Sequence, residues 1–282
     1  MKLLLSFLIF FLSYTPGAGA QTAAAKPLQL GLVEEITSKI LGEKRTLNIY
    51  LPPGYQQKDS LRYPVVYLLD GAMDEDFIHV TGLFQFNNFP WIDRVPASII
   101  VGIANVDRKR DFTYPTTLSD DKKAFPTAGH SANFIAFLEK ELQPFMEKNY
   151  KTNASKTIIG QSLAGLLATE ILLTKPTLFN QYIIISPSLW WDDGSLLKRD
   201  AAILKEDFSA PVKVYIGCGK EGLAPGKIAH VMEVDANVLY DRLHYSGNTK
   251  LATFFDYLPE EDHATVTHQA IFNALRLLYR KK

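Results

Sequence analysis

The chain has 282 residues, 47% of them hydrophobic, enough for one substantial core. Lys+Arg and Asp+Glu each total 30, so no bulk field favours nucleic acid or an anionic membrane as partner. The single cysteine, Cys218, excludes an intramolecular disulfide; it reads as a small buried hydrophobe rather than a thiol nucleophile.

Residues 1–20, "MKLLLSFLIFFLSYTPGAGA", carry one positive charge, an apolar run from Leu3 to Tyr14, and a small-residue end. That pattern predicts a secretory signal peptide cleaved after Ala20, since the run is shorter than the roughly 20 residues a spanning helix needs. The remainder, 21–282, reads as a single domain, because no Pro-, Gly- or Ser-rich linker divides it. Strand-like runs follow at Thr46–Leu51, Tyr63–Leu69, Ser98–Ile103, Thr157–Ile159, Tyr182–Ile185, Val212–Ile216 and Ala252–Leu258. Helical spacing marks Ser131–Tyr150, Ala229–Ser246 and Thr265–Arg280; in the first, Phe134, Phe137, Leu138 and Leu142 make one apolar stripe. Strands such as "SIIVGI" and "YIIISP" are apolar on both faces. Alternating with helices, they predict an α/β three-layer sandwich around a mainly parallel sheet.

Between Thr157 and Leu173, "TIIGQSLAGLLATEILL" turns from strand directly into helix, with Ser162 at the corner. Such a corner needs strained backbone at the serine, costing about 1–3 kcal/mol. It also needs small neighbours, supplied by Gly160 and Ala164. Alanine stands where the G-x-S-x-G elbow ends in glycine, and Gly165 follows. The geometry predicts an exposed nucleophilic hydroxyl and a free Leu163 N–H for an oxyanion. A simple helix N-cap is the competing reading of Ser162.

A serine needs a base, and the base a carboxylate. In a sheet of this kind the order is serine, acid, histidine. His263, in "DYLPEEDHATV", follows the last strand and precedes the last helix, and is the expected base. His230, His244 and His268 fall in helical stretches, and His79 and His130 precede the serine. Glu221, in the loop after "VKVYIGCG", is the expected acid; Asp192 and Asp193 are the runners-up, and a bare Ser–His pair is a further alternative. Glu260, Glu261 and Asp262 sit too near His263 in sequence to orient it. The second oxyanion donor is expected at Gly71 or Ala72, with Asp70 holding that loop. Trp190, Trp191 and Tyr114 are candidates for a substrate wall. Arg108 and Arg110 could receive an anionic substrate or form an internal ion pair with Asp111. No His, Cys or carboxylate cluster has metal-ligand spacing, and the expected chemistry needs no cofactor.

The motifs "LPPGY", "YLLDG", "VGIANVDRKRDFTYP", "GQSLAGLLA", "ISPSLWWDD" and "EEDHATV" occur in the order of the esterase D-like esterases, an α/β-hydrolase family. The chain resembles that family from about Leu47 to Arg280, most of all its enterochelin (siderophore) esterase branch. The resemblance implies an α/β-hydrolase fold, with Ser162 as nucleophile and His263 as its histidine. Glu221 stands where many relatives carry aspartate. The expected protein is an exported serine esterase acting through an acyl-enzyme on a small-molecule ester, siderophore or carbohydrate-linked. It would be a monomer, with no nucleic-acid partner and no membrane association after cleavage. An acyltransferase, or a non-catalytic glycan- or siderophore-binding relative, are the alternatives.

Overall fold

The computed structural model describes residues 24–58, 60–221 and 232–279; the expected leader and His230 lie outside them. Contacts divide the chain into an N-terminal unit, Met1–Leu30, and a larger one, Gly31–Lys282. Residues 24–30 of the first carry no helix or strand.

The larger unit is built on eight strands among the described residues: β1 Leu32–Ser38, β2 Glu43–Tyr50, β3 Tyr63–Leu68, β4 Ile99–Ile103, β5 Thr152–Gln161, β6 Gln181–Ile185, β7 Val212–Gly219 and β8 Leu251–Leu258. They form one sheet in the order β1-β2-β4-β3-β5-β6-β7-β8. The β1/β2 and β2/β4 pairs are antiparallel, and every pair from β4 to β8 is parallel. The fold is that of an α/β-hydrolase.

The helices are α1 Phe77–Asn87, α2 Arg108–Phe112, α3 Ser119–Ala124, α4 Ser131–Phe137, α5 Gln143–Asn149, α6 Leu163–Thr174, the single turn α7 Trp191–Gly194, α8 Met232–His244 and α9 Val266–Leu278. All six residues of β3 and all five of β4 are buried, as a parallel sheet covered on both faces requires. The helix α6 is apolar all round, and Leu163 to Leu173 are buried without a break. It lies against β5 and β6 on one side and meets α2 on the other.

Two elements depart from the hydrophobic pattern. The first is β1, "LVEEITS", an edge strand too polar to register as an apolar run. Charged residues such as Glu34 and Glu35 suit an edge, where they discourage pairing with another chain. The second is Ser131–Tyr150, expected as one helix and found as α4 and α5 joined by a π-helical turn, Leu138–Leu142. Pro144 lies in the first turn of α5. It donates no hydrogen bond and its ring crowds the preceding turn, which the wider π turn relieves.

Candidate active site

At the carboxyl end of β5 the chain turns into α6 through Ser162, whose backbone sits at φ 61°, ψ −121°. Few L-residues adopt this conformation. The neighbours explain how it is held. A Cβ at Gly160 would lie 2.4 Å from the Ala164 carbonyl oxygen, so glycine is required there. A Cβ at Gly165 would lie 3.0 Å from both Ile185 O and Pro187 Cα, where α6 passes the end of β6. The Ser162 N–H donates to Ile185 O at 3.0 Å, and the Ser162 carbonyl accepts from Leu166 at 2.9 Å and from Ser188 at 3.0 Å. This backbone lifts Oγ clear of the sheet.

His263 arrives in the loop between β8 and α9. Asp262 shapes that loop: its Oδ1 accepts the N–H groups of Ala264 at 2.8 Å and Thr265 at 3.1 Å. Gln161, one residue before the serine, donates from Nε2 to the His263 carbonyl at 2.9 Å. The imidazole Nε2 thereby comes to 3.0 Å from Ser162 Oγ. Its Nδ1 lies 2.5 Å from Glu221 Oε2. A proton on Nδ1 serves the carboxylate and leaves Nε2 free to accept from the serine hydroxyl.

Glu221 leaves the end of β7, and its side chain has no solvent exposure, whereas that of His263 keeps 42%. Burial alone would raise its pKa. Hydrogen bonds from His263, Ser186 and the Gly219 N–H, together with the His263 charge, outweigh burial and hold the carboxyl below its ordinary value. The structure thus brings Ser162, His263 and Glu221 into one hydrogen-bonded row. The two runners-up for the acid lie elsewhere. Asp192 accepts from the Thr117 N–H at 2.7 Å and from the Thr116 and Thr117 hydroxyls. Asp193 is exposed beside Lys198.

The other histidines are accounted for separately. His79 on α1 and His268 on α9 contact each other. His244 pairs with the Thr253 hydroxyl at 3.1 Å, and His130 stands at the N-cap of α4 without a side-chain capping bond. Cys218 is buried at the end of β7, and burial followed by Glu221, Glu233 and Asp256 pushes its thiol up to about 12, unsuited to attack.

Several expected site residues have different jobs. Leu163 opens α6, where first-turn N–H groups lack an intrahelical acceptor. The Gly71 N–H, however, donates to Ile103 O at 3.0 Å, which removes it as an oxyanion donor. Glycine is needed at 71 for a different reason: a Cβ there would strike the Gly102 Cα at 2.4 Å. The Ala72 N–H donates to the exposed Glu75 carboxylate at 3.0 Å.

Tyr114 and Trp191 are a mutual brace rather than a substrate wall. Trp191, fully buried, donates from its indole N–H to Tyr114 O at 2.8 Å, and the Tyr114 hydroxyl donates to Trp191 O at 3.1 Å. Trp190 is buried as well, edge-on to Trp191 with ring centroids 6.2 Å apart. Arg110 belongs to a salt-bridge cluster with Glu43, Asp111 and the buried Arg45. Arg108 grips Asp70 through two bonds of 2.7 and 2.8 Å and reaches Gln161 O at 3.2 Å. It thus ties the loop after β3 to the residue preceding the serine.

Sequence reasoning did not single out Gln161, Ser186 or Ser188. Ser188 Oγ is 3.3 Å from Ser162 Oγ, and Ser186 donates to Glu221. Their position gave a signal: "SPS" directly follows β6, the strand beside β5. Among the described residues no group of three or more His, Cys, Asp or Glu is placed to hold a metal ion, and no helix is long and apolar enough to cross a membrane.

Comparison with known proteins places the chain in a family. A family model described as "Putative esterase" matches residues 38–267. The ferri-bacillibactin esterase BesA of Bacillus subtilis is 30% identical over 255 residues, covering 83% of this chain and 85% of that protein. The siderophore enterobactin esterase of Emericella nidulans is 35% identical over 172 residues, 53% of this chain and 56% of that one. Among solved structures, an IroE-like serine hydrolase from Shewanella oneidensis superimposes with a TM-score of 0.79 at 31% identity, covering 89% of this chain and 80% of that one. The chain belongs to this esterase family, on the branch that includes the siderophore esterases.

Proposed function

We propose that this protein is an exported serine esterase that cleaves carboxylic esters of a siderophore through an acyl-enzyme. The observation that carries the reading is the row Ser162 Oγ, His263 Nε2 at 3.0 Å, and His263 Nδ1 with Glu221 Oε2 at 2.5 Å. The siderophore substrate is taken from the relatives BesA and the enterobactin esterase. Export is taken from the leader-like pattern of residues 1–20.

In the first half-reaction Ser162 Oγ attacks the ester carbonyl carbon and its proton passes to His263 Nε2. The tetrahedral oxyanion lies against the Leu163 N–H. The Ala72 N–H is a second donor once substrate displaces the exposed Glu75 carboxylate. When the C–O bond to the alcohol breaks, His263 returns that proton to the leaving oxygen. In the second half, water gives a proton to His263 and attacks the acyl carbon. Collapse restores the Ser162 hydroxyl and frees the acid. Glu221 keeps the imidazole in the required tautomer and offsets its positive charge.

A panel of a catecholate trilactone, methyl ferulate and p-nitrophenyl acetate tests the reading. The trilactone should show the highest kcat/KM, and Ser162→Ala should lower it by about 10⁴-fold or more. Turnover by Ser162→Ala at the wild-type rate would end the serine mechanism; preference for methyl ferulate would end the siderophore assignment. N-terminal sequencing of exported protein should begin at Gln21.

A further inference from the structure

The two oxygens of Glu221 do different work. Oε2 faces the imidazole, while Oε1 accepts the Ser186 hydroxyl and, at 3.2 Å, the Gly219 N–H. Ser186 is fully buried at the carboxyl end of β6 and holds φ at +39°. Its own N–H donates to Gly217 O at 2.8 Å, clamping it to β7, the strand that leads to Glu221. Glycine is the residue that adopts such a φ without strain. Serine occupies the position instead, and its hydroxyl donates to the Glu221 carboxylate.

The same tripeptide reaches the nucleophile. Pro187 lies under Gly165, and the Ser188 N–H donates to the Ser162 carbonyl at 3.0 Å. Ser186-Pro187-Ser188 therefore sets the acid and the serine corner in one rigid frame.

We propose that Ser186 is a positioning residue of the ester-cleaving site: its hydroxyl pins Oε1 of Glu221 so that Oε2 stays on His263 Nδ1. The inference rests on the triad reading given above. The terminal torsion of a glutamate is broad and weakly restrained. Without the hydroxyl, Oε1 would keep, among the described residues, the longer Gly219 contact, and the carboxylate could turn away from the imidazole. The Ser186 hydrogen bond is also among those that lower the Glu221 pKa, so its loss would raise the pH at which that carboxyl protonates.

The test is Ser186→Gly, which removes the hydroxyl and relaxes the backbone together. With p-nitrophenyl butyrate, kcat should fall about 10- to 100-fold with KM little changed, while Tm holds or rises. In a Glu221→Ala background the same change should cost nothing further in kcat, because Ser186 acts through Glu221. Ser186→Ala, read through the same cycle, gives the answer should the glycine variant fold poorly. Unchanged kcat in the single variant would overturn the proposal, and so would an equal loss in both backgrounds. Ser162→Ala separates the two levels. If it is inactive while Ser186→Gly turns over normally, this inference alone falls; if it remains fully active, the triad reading falls and takes this one with it.

Discussion

Two clusters of ionisable side chains lie about the sheet, and they differ in what they leave unspent. Around α2, Arg45 and Arg110 are matched against Glu43 and Asp111, and the Arg45 and Asp111 side chains are 1% and 2% exposed. Positive and negative groups are spent on one another, although the Arg110 and Glu43 side chains keep 28% and 21% exposure. At the ends of β5, β7 and β8, Glu221 is equally buried, but its partner His263 keeps an open face and presents Nε2 to a hydroxyl. The first cluster holds the fold together. The second keeps one acceptor directed at a group able to react, and that difference, rather than the presence of charge, marks a site.

Substitutions in the two clusters should therefore fail in different ways. Glu221→Ala should lower kcat by about 10³- to 10⁴-fold, roughly 4–5.5 kcal/mol of transition-state stabilisation, with folding retained. Steady-state kinetics beside circular dichroism checks it. A loss of structure in parallel with activity would erase the distinction. Asp111→Ala should do the reverse. Removing one partner of a buried ion pair costs about 3–5 kcal/mol, so chemical denaturation should show the loss while kcat of the folded fraction stays near wild type.

How far these clusters could be read from sequence depended on the distance over which their reasons act. The serine corner was legible because its demands are local: Gly160, Ala164 and Gly165 all lie within three residues of Ser162. His263 was legible because a loop after the last strand opens on the same sheet edge. Central strands such as β3 and β4 followed from burial on both faces, whereas β1 escaped because its exposed edge carries little apolar surface. Tyr114 and Trp191 escaped for the opposite reason. They lie 77 positions apart, and only the folded chain reveals that each satisfies the other. The Gly71 N–H likewise looked available until β4 was seen to take it.

Smaller effects sharpen the contrast. Ser162 bears backbone strain that serves no packing purpose, so Ser162→Gly should abolish ester cleavage while raising stability by about 1 kcal/mol. A lower Tm would mean the corner is not strained. Asp76, just before α1, is weaker still. Burial, followed by Asp70 and Glu75, raises its carboxyl to about 6 against the pull of Arg108. A raised carboxyl binds more protons in the folded state. Its penalty is therefore absent at low pH and grows as pH rises from near 3.8 through about 6. Asp76→Asn should be neutral at pH 4 and stabilising at pH 7.5, on the order of 1 kcal/mol or less after solvent screening. Equal Tm shifts at both pH values would contradict that sign.

The most direct measurement is intact-mass and peptide mapping after treatment with diisopropyl fluorophosphate. A single diisopropylphosphoryl group on Ser162, appearing as ester cleavage disappears and absent from His263→Ala, is the predicted result. Cleavage that survives with Ser162 unmodified, or a label seated on another serine such as Ser188, would contradict it.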